Sequence, residues 1–184
     1  MEDSMDKKNV IKDVVLVIAH EGYQPIEYCK TREELEKAHI SVVTVSDKAG
    51  TVVDCSGEVE PEKVVVTVKD LANDDLSKFS GVFLIGGGGA LDCLDNEDVY
   101  HLMNKVKEAG LFYGAICIST RILYHARLID NKKITGWDED SKLAQECPNA
   151  TVIGGPVVVD GKLITGRDPQ AASEFAQAII NALK

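Results

Sequence analysis

Two hydrophobic periodicities alternate along the chain and predict alternating strands and helices. The β-branched apolar run at residues 13–19, DVVLVIA, is typical of a strand that is buried on both faces. Residues 25–39, PIEYCKTREELEKAH, place their apolar positions loosely on one face, and Pro25 fits the first turn of a helix. Residues 40–46, ISVVTVS, form the next predicted strand.

The middle of the chain combines an irregular excursion with a second strand–helix unit. Residues 47–68 contain glycines, a proline and most of the alternating segment KVVVTVK, which together predict short strands. The apolar segment at 81–87, GVFLIGG, predicts another buried strand. Residues 95–110 predict a helix, since acids open it, basic residues follow and Gly110 stops it.

The C-terminal part repeats the alternation and adds a hairpin. Residues 111–116, LFYGAI, predict a short buried strand, and helical spacing begins at Ser119. Further on, KKITGW predicts a strand, DEDSKLAQE a helix, and PVVVDGKLITG a hairpin that turns at Asp160-Gly161. An amphipathic helix is expected to begin at Asp168 or Pro169 and to end the chain.

This alternation predicts an α/β fold with a parallel sheet that is covered on both faces. No internal repeat or linker divides the sequence, so we expect one domain at 13–184 and a frayed tail at 1–12. In open α/β sheets the functional crevice lies at the carboxyl ends of the strands. That rule selects residues 19–27, 86–90 and 117–119.

Composition and charge narrow the possible functions. The 184 residues carry a net charge of −10 with a pI near 4.8, which argues against nucleic acid or an anionic membrane as a partner. No apolar stretch approaches the roughly 20 residues of a membrane span. The charged N-terminus lacks the apolar core of a signal peptide, so we expect a cytoplasmic protein.

The five cysteines are odd in number and widely spaced, without a CxxC pair, so free thiols are expected. No HxH, HExxH or carboxylate cluster indicates a metal site, and no metal is predicted. A dinucleotide fingerprint and a Walker A motif are both missing, and no cofactor is predicted.

Cys117 lies where a predicted strand passes into a predicted helix. A thiol at a helix start faces unpaired N–H groups and the positive end of the helix dipole, and both would lower its pKa. The sharp turn resembles the nucleophile elbow of hydrolases. The alternative is a structural cysteine that is buried at a tight turn.

Two other strand ends offer chemistry. The glycines at 86–89 would let a ligand approach the backbone, and their N–H groups could form an oxyanion hole, or they form only a flexible turn. Glu27, in the first helical turn, can point into the crevice with a raised pKa, or it is a solvated acid. His20 is the one histidine at a strand's carboxyl end.

With these residues in place, the sequence resembles the ThiJ/PfpI superfamily, which includes a protein deglycase and PfpI-type proteases. The resemblance runs from about Asp13 to Leu183. Four segments carry it: the turn GAICIS at 114–119, Glu27 after the first strand, LIGGGG at 84–89, and GKLITGRDPQAASEFAQAI at 161–179.

The resemblance implies a flavodoxin-like three-layer sandwich with a mostly parallel sheet and a nucleophile-elbow cysteine, usually as a homodimer. It implies that Cys117 is the nucleophile or redox centre and that a protonated Glu27 hydrogen-bonds its sulfur. It also implies that the backbone N–H groups of Gly87 and Ile118 are the oxyanion donors.

The histidines that the resemblance leads one to expect are missing. PfpI-type proteases carry a histidine directly after the cysteine, where this sequence has Ile118, and the deglycase carries one further along, where this sequence reads ITGWDED. Trp137 and Asp138 are expected near the pocket instead, and only a histidine from elsewhere, such as His20 or one from a partner subunit, could replace the missing one. Further pocket candidates are Gly86, Ser119 and Arg167.

Four functions follow, in order of preference. The first is a cysteine enzyme that acts on small electrophiles such as 2-oxoaldehydes, by glyoxalase or deglycase chemistry, through a Cys117 thiolate assisted by Glu27. The second is an oxidative-stress sensor or binding protein in which Cys117 is oxidised to sulfinic acid without turnover. The third is a cysteine peptidase or amidase, which the missing histidine weakens. The last is an interaction domain with an inert cysteine.

Overall fold

The computed structural model describes residues 12–184, so the predicted tail at 1–12 lies outside the described residues except for Lys12. The strands are β1 (Asp13–Ile18), β2 (Glu21–Tyr23), β3 (Val42–Ser46), β4 (Gly50–Asp54), β5 (Glu62–Val64), β6 (Val66–Thr67), β7 (Phe79–Leu84), β8 (Phe112–Ile116), β9 (Lys133–Ile134), β10 (Thr151–Val152), β11 (Val157–Asp160) and β12 (Leu163–Gly166). The α-helices are α1 (Pro25–Lys37), α2 (Val68–Ala72), α3 (Ala90–Leu94), α4 (Glu97–Glu108), α5 (Thr120–His125), α6 (Leu143–Glu146) and α7 (Ala172–Leu183).

A seven-stranded sheet forms the middle layer, in the order β11-β12-β8-β7-β1-β3-β6. Every neighbouring pair in it is parallel except β11 and β12. Helices α1 and α7 pack together, while α2, α4 and α5 form a second group. The predicted flavodoxin-like fold with a mostly parallel sheet is confirmed.

The central strands are fully buried because apolar helix faces cover both sides of the sheet. Val14 to Ile18 of β1 and Val82 to Leu84 of β7 have no exposed surface. In α4, the buried side chains recur at helical spacing, and Asn96 caps its first turn by accepting hydrogen bonds from Asp98 N–H and Val99 N–H. None of the helices within residues 12–184 combines the length and the apolar character that crossing a membrane requires.

The segment KVVVTVK is less regular than its alternation predicts. It divides between β5 and β6, and Val65 between them is 76% exposed. A reciprocal capping box between Thr67 and Asp70 then starts α2 at Val68. Side-chain capping therefore ends the strand pattern that the apolar residues alone would continue.

Two other predicted boundaries also move. The hairpin of β11 and β12 is present, but Asp160 pairs with Leu163, so the two turn residues are Gly161 and Lys162 rather than Asp160-Gly161. The helix expected over DEDSKLAQE is confined to α6, because the Asp138 carboxylate accepts a hydrogen bond from Leu143 N–H and holds the preceding residues in a turn.

Candidate active site

Cys117 lies in a sharp turn directly after β8. Its φ is 64°, in the left-handed region that non-glycine residues rarely occupy, and it begins the short 3₁₀ segment Cys117–Ser119 that leads into α5. Such a backbone costs of the order of 1–3 kcal/mol and persists only where the surroundings hold it. The residue is 9% exposed. This geometry is the nucleophile elbow that the sequence predicts.

Glu27 reaches the same place from α1. Gln24 caps this helix by accepting a hydrogen bond from Ile26 N–H, so Glu27 falls in the first turn, where its side chain points into the protein and is fully buried. Its Oε2 accepts a hydrogen bond from Gly86 N–H at 2.8 Å. Its Oε1 has no partner of conventional hydrogen-bond geometry within residues 12–184. The Cys117 thiol contacts the carboxyl group closely enough to affect its pKa.

The two groups change each other's protonation. Burial raises the pKa of Glu27 to about 7, and the hydrogen bonds from Cys117 and Gly86 only partly oppose this effect. The raised pKa that the sequence predicts for this buried carboxyl is therefore confirmed. The negative charge of Asp168 raises the pKa of Glu27 by a smaller amount.

The pKa expected for Cys117 was wrong in direction. Burial raises the pKa of the Cys117 thiol, the charge of Glu27 raises it further, and the backbone N–H of Ile118 lowers it only partly. The helix after Cys117 has only six residues and follows a 3₁₀ turn, so its dipole does not offset the effects of burial and of the Glu27 charge. The resting pair is consequently a thiol beside a carboxyl group that titrates near neutrality, and not a free thiolate.

Gly86 lies against both Cys117 and Glu27, and its lack of a side chain lets these two residues approach each other. A Cβ atom at this position would lie 2.7 Å from Cys117 Cβ and 2.7 Å from Glu27 Oε2. Gly87 has a φ of 124°, and a Cβ there would collide with the carbonyl of Gly22 and the amide of Gln24. The glycines of this turn therefore permit close packing of the site's own chain segments.

A cavity of about 450 Å³ opens above Cys117, a size typical of small-molecule sites. Gly87 and Ile118 line it, as expected for oxyanion donors, and Gly87 N–H has no hydrogen-bond acceptor within residues 12–184. Its charged lining consists of Glu139 and Asp168, and none of the described lysines, arginines or histidines lines it. The cavity is therefore an acidic one around a thiol.

Trp137 forms one wall of this cavity, and Arg121 holds it in place. Trp137 N–H donates to Cys117 O at 3.2 Å, while Arg121 donates to Trp137 O at 2.7 Å and stacks 5.5 Å from the centre of the indole ring. The Arg121 side chain is 4% exposed and also pairs with Asp140 and Glu146. The loop after β9 is thus tied to the helix that follows the elbow.

Four of the predicted pocket residues lie elsewhere. His20 pairs with Asp47 in a separate cavity, so it does not replace the missing histidine. Ser119 is buried and donates to Ile85 O at 2.8 Å. Asp138 and Arg167 line a smaller neighbouring cavity of about 210 Å³, which Trp137 also borders. Their side chains are engaged in helix capping and in an ion pair with Asp168.

Several lining residues were absent from the sequence-based selection. They are Leu91, Glu139, Asp168, Pro169 and Gln170. Asp168 and Gln170 follow β12, which is the neighbour of β8, so the rule of strand carboxyl ends would have found them had it been applied to the hairpin. No sequence signal distinguishes Glu139 from Asp138, because only the fold of the loop decides which of the two faces the cavity.

The described residues do bring one potential metal-binding group together. His20, Asp47 and Cys93 present ligand atoms that all lie within 4.8 Å of one another, away from Cys117. The prediction of no metal rested on spacing along the chain. It could not detect three residues that follow three different strands.

Comparison with known proteins identifies the family. A family model described as the DJ-1/PfpI family matches residues 12–182, and the chain belongs to this family. Protein DJ-1 homolog B of Arabidopsis thaliana is 33% identical over 155 residues, which are 80% of this chain and 35% of the plant protein. The chain thus spans about a third of the length of that relative. Protein dj-1beta of Drosophila melanogaster is 29% identical over 91% of this chain and 88% of its own length.

Solved structures show the same fold. A ThiJ/PfpI domain protein from Brachyspira murdochii has a TM-score of 0.85 at 20% identity and covers 94% of this chain and 96% of its own. DJ-1beta from Drosophila melanogaster has a TM-score of 0.83 at 25% identity and covers 95% of this chain and 91% of its own.

Proposed function

We propose that this protein is a cofactor-free, cysteine-dependent enzyme that converts small 2-oxoaldehydes to 2-hydroxy acids, with Cys117 as nucleophile and Glu27 as acid and base. The observation that carries the proposal is the buried pair itself. The elbow thiol lies against a carboxyl group whose pKa is about 7, in a cavity of about 450 Å³. A group with a pKa near the working pH transfers protons most effectively in both directions.

The first step is addition of the thiol to the aldehyde carbon. The sulfur forms a bond to this carbon while the Glu27 carboxylate takes the thiol proton, and Glu27 then gives the proton to the aldehyde oxygen. The product is a neutral hemithioacetal. The N–H groups of Gly87 and Ile118, which line the cavity beside the sulfur, would stabilise the oxyanion during this step.

The second step moves a proton between neighbouring carbons. Glu27, again a carboxylate, removes the proton from the hemithioacetal carbon, which leaves an enediolate, and then returns this proton to the adjacent carbon. The hydroxyl proton passes from the first oxygen to the second, and the product is a thioester. Water then releases the 2-hydroxy acid and restores the thiol. Overall, one 2-oxoaldehyde and one water give one 2-hydroxy acid. No step requires a histidine, which agrees with a cavity that no described histidine lines.

The test is consumption of methylglyoxal together with formation of lactate. We expect turnover by the wild-type protein and none by Cys117→Ala or Glu27→Gln. Cys93→Ala and Glu108→Gln are matched controls, because they remove a partly buried thiol and an exposed acid that do not line this cavity, and both should keep substantial activity. Equal consumption by wild type and the two site variants would refute the proposal.

Oxidative sensing is the second candidate, because Ile118 N–H and a protonated Glu27 carboxyl offer hydrogen bonds to a sulfinate at Cys117. Two peroxide molecules would convert the thiol first to sulfenic and then to sulfinic acid and release two waters. Intact-mass analysis after mild peroxide distinguishes the two functions. A gain of two oxygens confined to Cys117, without methylglyoxal turnover, supports sensing, while oxidation of all five cysteines contradicts it.

A peptidase or amidase ranks below both, because acyl transfer by a thiol normally requires a neighbouring base such as histidine. Hydrolysis of casein that iodoacetamide blocks would reverse this order. A homodimer and a cytoplasmic location remain predictions, and light scattering of the purified protein tests the former.

A further inference from the structure

A second group of reactive side chains lies on the other flank of the glycine turn. His20 follows β1, Asp47 follows β3, and Cys93 belongs to α3, which begins after the glycine turn that follows β7. Since β7, β1 and β3 are consecutive in the parallel sheet, their carboxyl ends bring these residues together. All three are partly buried, and their ligand atoms lie within 4.8 Å of one another.

We propose that His20, Asp47 and Cys93 form a zinc-binding site that is separate from the Cys117 cavity. Imidazole nitrogen, carboxylate oxygen and cysteine sulfur are the three ligand types that Zn²⁺ accepts. A thiolate and an imidazole favour zinc over magnesium or calcium, which select oxygen ligands. Three protein ligands leave a fourth tetrahedral position for water.

His20 and Asp47 already contact each other through two pairs of atoms. His20 N–H donates to Asp47 Oδ1 at 2.8 Å, and His20 Nδ1 lies 2.6 Å from Asp47 Oδ2. Tetrahedral zinc holds a nitrogen and an oxygen ligand roughly 3.3 Å apart, so the two side chains would separate slightly and give up this hydrogen bond when the ion binds. Cys93 Sγ makes only a long contact of 3.7 Å, with Glu21 O, so the thiol can exchange its proton for the metal without loss of a strong hydrogen bond.

The charge around the group favours a cation. Asp92 and Asp98 line the same cavity of about 300 Å³ as the three proposed ligands. Lys48 and Lys69 line it as well, so three carboxylates, including Asp47, face two ammonium groups. Lys48 Nζ, 3.1 Å from His20 Nε2, is exposed and can turn into water when the ion enters.

The experiment uses the full chain with Cys29→Ser and Cys55→Ser, which remove the two exposed thiols. Zn²⁺ alone is titrated calorimetrically, and Co²⁺ serves as a spectroscopic probe, because a sulfur-to-cobalt charge-transfer band requires a cysteine ligand. We expect one ion per chain and the charge-transfer band. Cys93→Ala should abolish the band, while His20→Gln and Asp47→Asn should each weaken binding by about tenfold or more, since even an outer-shell partner contributes that much.

Cys117→Ala is the matched control, because it removes the thiol of the separate elbow cavity and should leave zinc binding unchanged. Thermal unfolding with and without Zn²⁺ provides a second readout, since an ion that binds the folded state raises the Tm of each variant that keeps the site. Absence of zinc binding by the parent, or binding that survives Cys93→Ala and disappears in Cys117→Ala, would overturn the proposal. Should His20→Gln fail to fold, Cys93→Ala still decides the result.

Discussion

The carboxyl group of Glu27 and the thiol of Cys117 are buried against the same residue, Gly86. Oε2 of Glu27 accepts a hydrogen bond from Gly86 N–H at 2.8 Å, and the missing side chain of Gly86 leaves the space in which the carboxyl group meets Cys117. Three chain segments that are distant in sequence, the start of α1, the turn after β7 and the elbow after β8, therefore form one protonation unit.

The rate of methylglyoxal turnover should rise with pH through about 7. Below the Glu27 pKa of about 7 both groups are protonated, so no base accepts the thiol proton. Asp168→Asn should move this limb of the kcat/KM profile to lower pH, because the charge of Asp168 raises the pKa of Glu27. A limb near the ordinary carboxyl value of 4.5, or no limb at all, would contradict the assignment of Glu27.

Glu27→Gln should increase stability at alkaline pH. The folded pKa of Glu27, about 7, exceeds its unfolded value of 4.5, so the folded state binds this proton more tightly than the unfolded state. The free energy of unfolding of the wild type therefore decreases as pH rises from 4.5 through 7. The shift corresponds to about 3 kcal/mol of unfolding free energy at most. Denaturant unfolding of wild type and Glu27→Gln across this range should show the difference grow with pH.

The exposed acid Glu139 gives the control for that comparison. Glu139→Gln removes one carboxylate near the site without relieving a buried one, so the stability of this variant should run parallel to that of the wild type. A growing difference in this variant as well would mean that net charge, and not burial of Glu27, is responsible.

Gly86→Ala should disrupt the site, whereas Gly88→Ala should not. The new methyl group at residue 86 would lie 2.7 Å from both Cys117 Cβ and Glu27 Oε2, while a Cβ at residue 88 meets nothing within 4 Å. Overpacking of this kind costs about 1–3 kcal/mol, and an open surface site changes stability by roughly 0.5 kcal/mol or less. Thermal unfolding and turnover of the two variants measure the contrast, and equal effects would argue against close packing at Gly86.

Arg121→Met should loosen the cavity wall. The substitution removes the buried donor to Trp137 O, so a loss of roughly 1–3 kcal/mol is expected. Asp140 and Glu146 lose their shared partner but are exposed enough to be hydrated. Trp137 is the only tryptophan in the chain, so its fluorescence and acrylamide quenching report directly on this wall. Arg167→Met, at an exposed arginine nearby, should leave the emission close to that of the wild type.

The acidic lining should select against anionic substrates. Glu139 and Asp168 face the cavity, and none of the described lysines or arginines lines it. Methylglyoxal, which is neutral, should therefore be preferred over glyoxylate, and Glu139→Gln should narrow the ratio of their kcat/KM values. An unchanged ratio would show that the charge at residue 139 does not reach the substrate.

Much of the architecture could be predicted because apolar periodicity reflects burial. Val14 to Ile18 form a continuous apolar run and are buried on both faces, so β1 was recognisable from its composition. Cys117, Glu27 and the glycines were found because the carboxyl ends of parallel strands converge at one edge. The boundaries of the strands and helices within KVVVTVK and DEDSKLAQE could not be predicted in this way, because the side-chain hydrogen bonds of Thr67, Asp70 and Asp138 set them.

The sequence by itself determined the order of strands and helices, the elbow at Cys117 and the acid at Glu27, since each follows from local pattern or motif. Only the tertiary structure decided the protonation of the pair, because burial and contact, and not the helix start, set the pKa of Cys117. It also decided that Glu139 and not Asp138 lines the cavity, and that His20 meets Asp47 and Cys93 rather than Cys117. These outcomes depend on distances between segments that are remote along the chain, which no local pattern encodes.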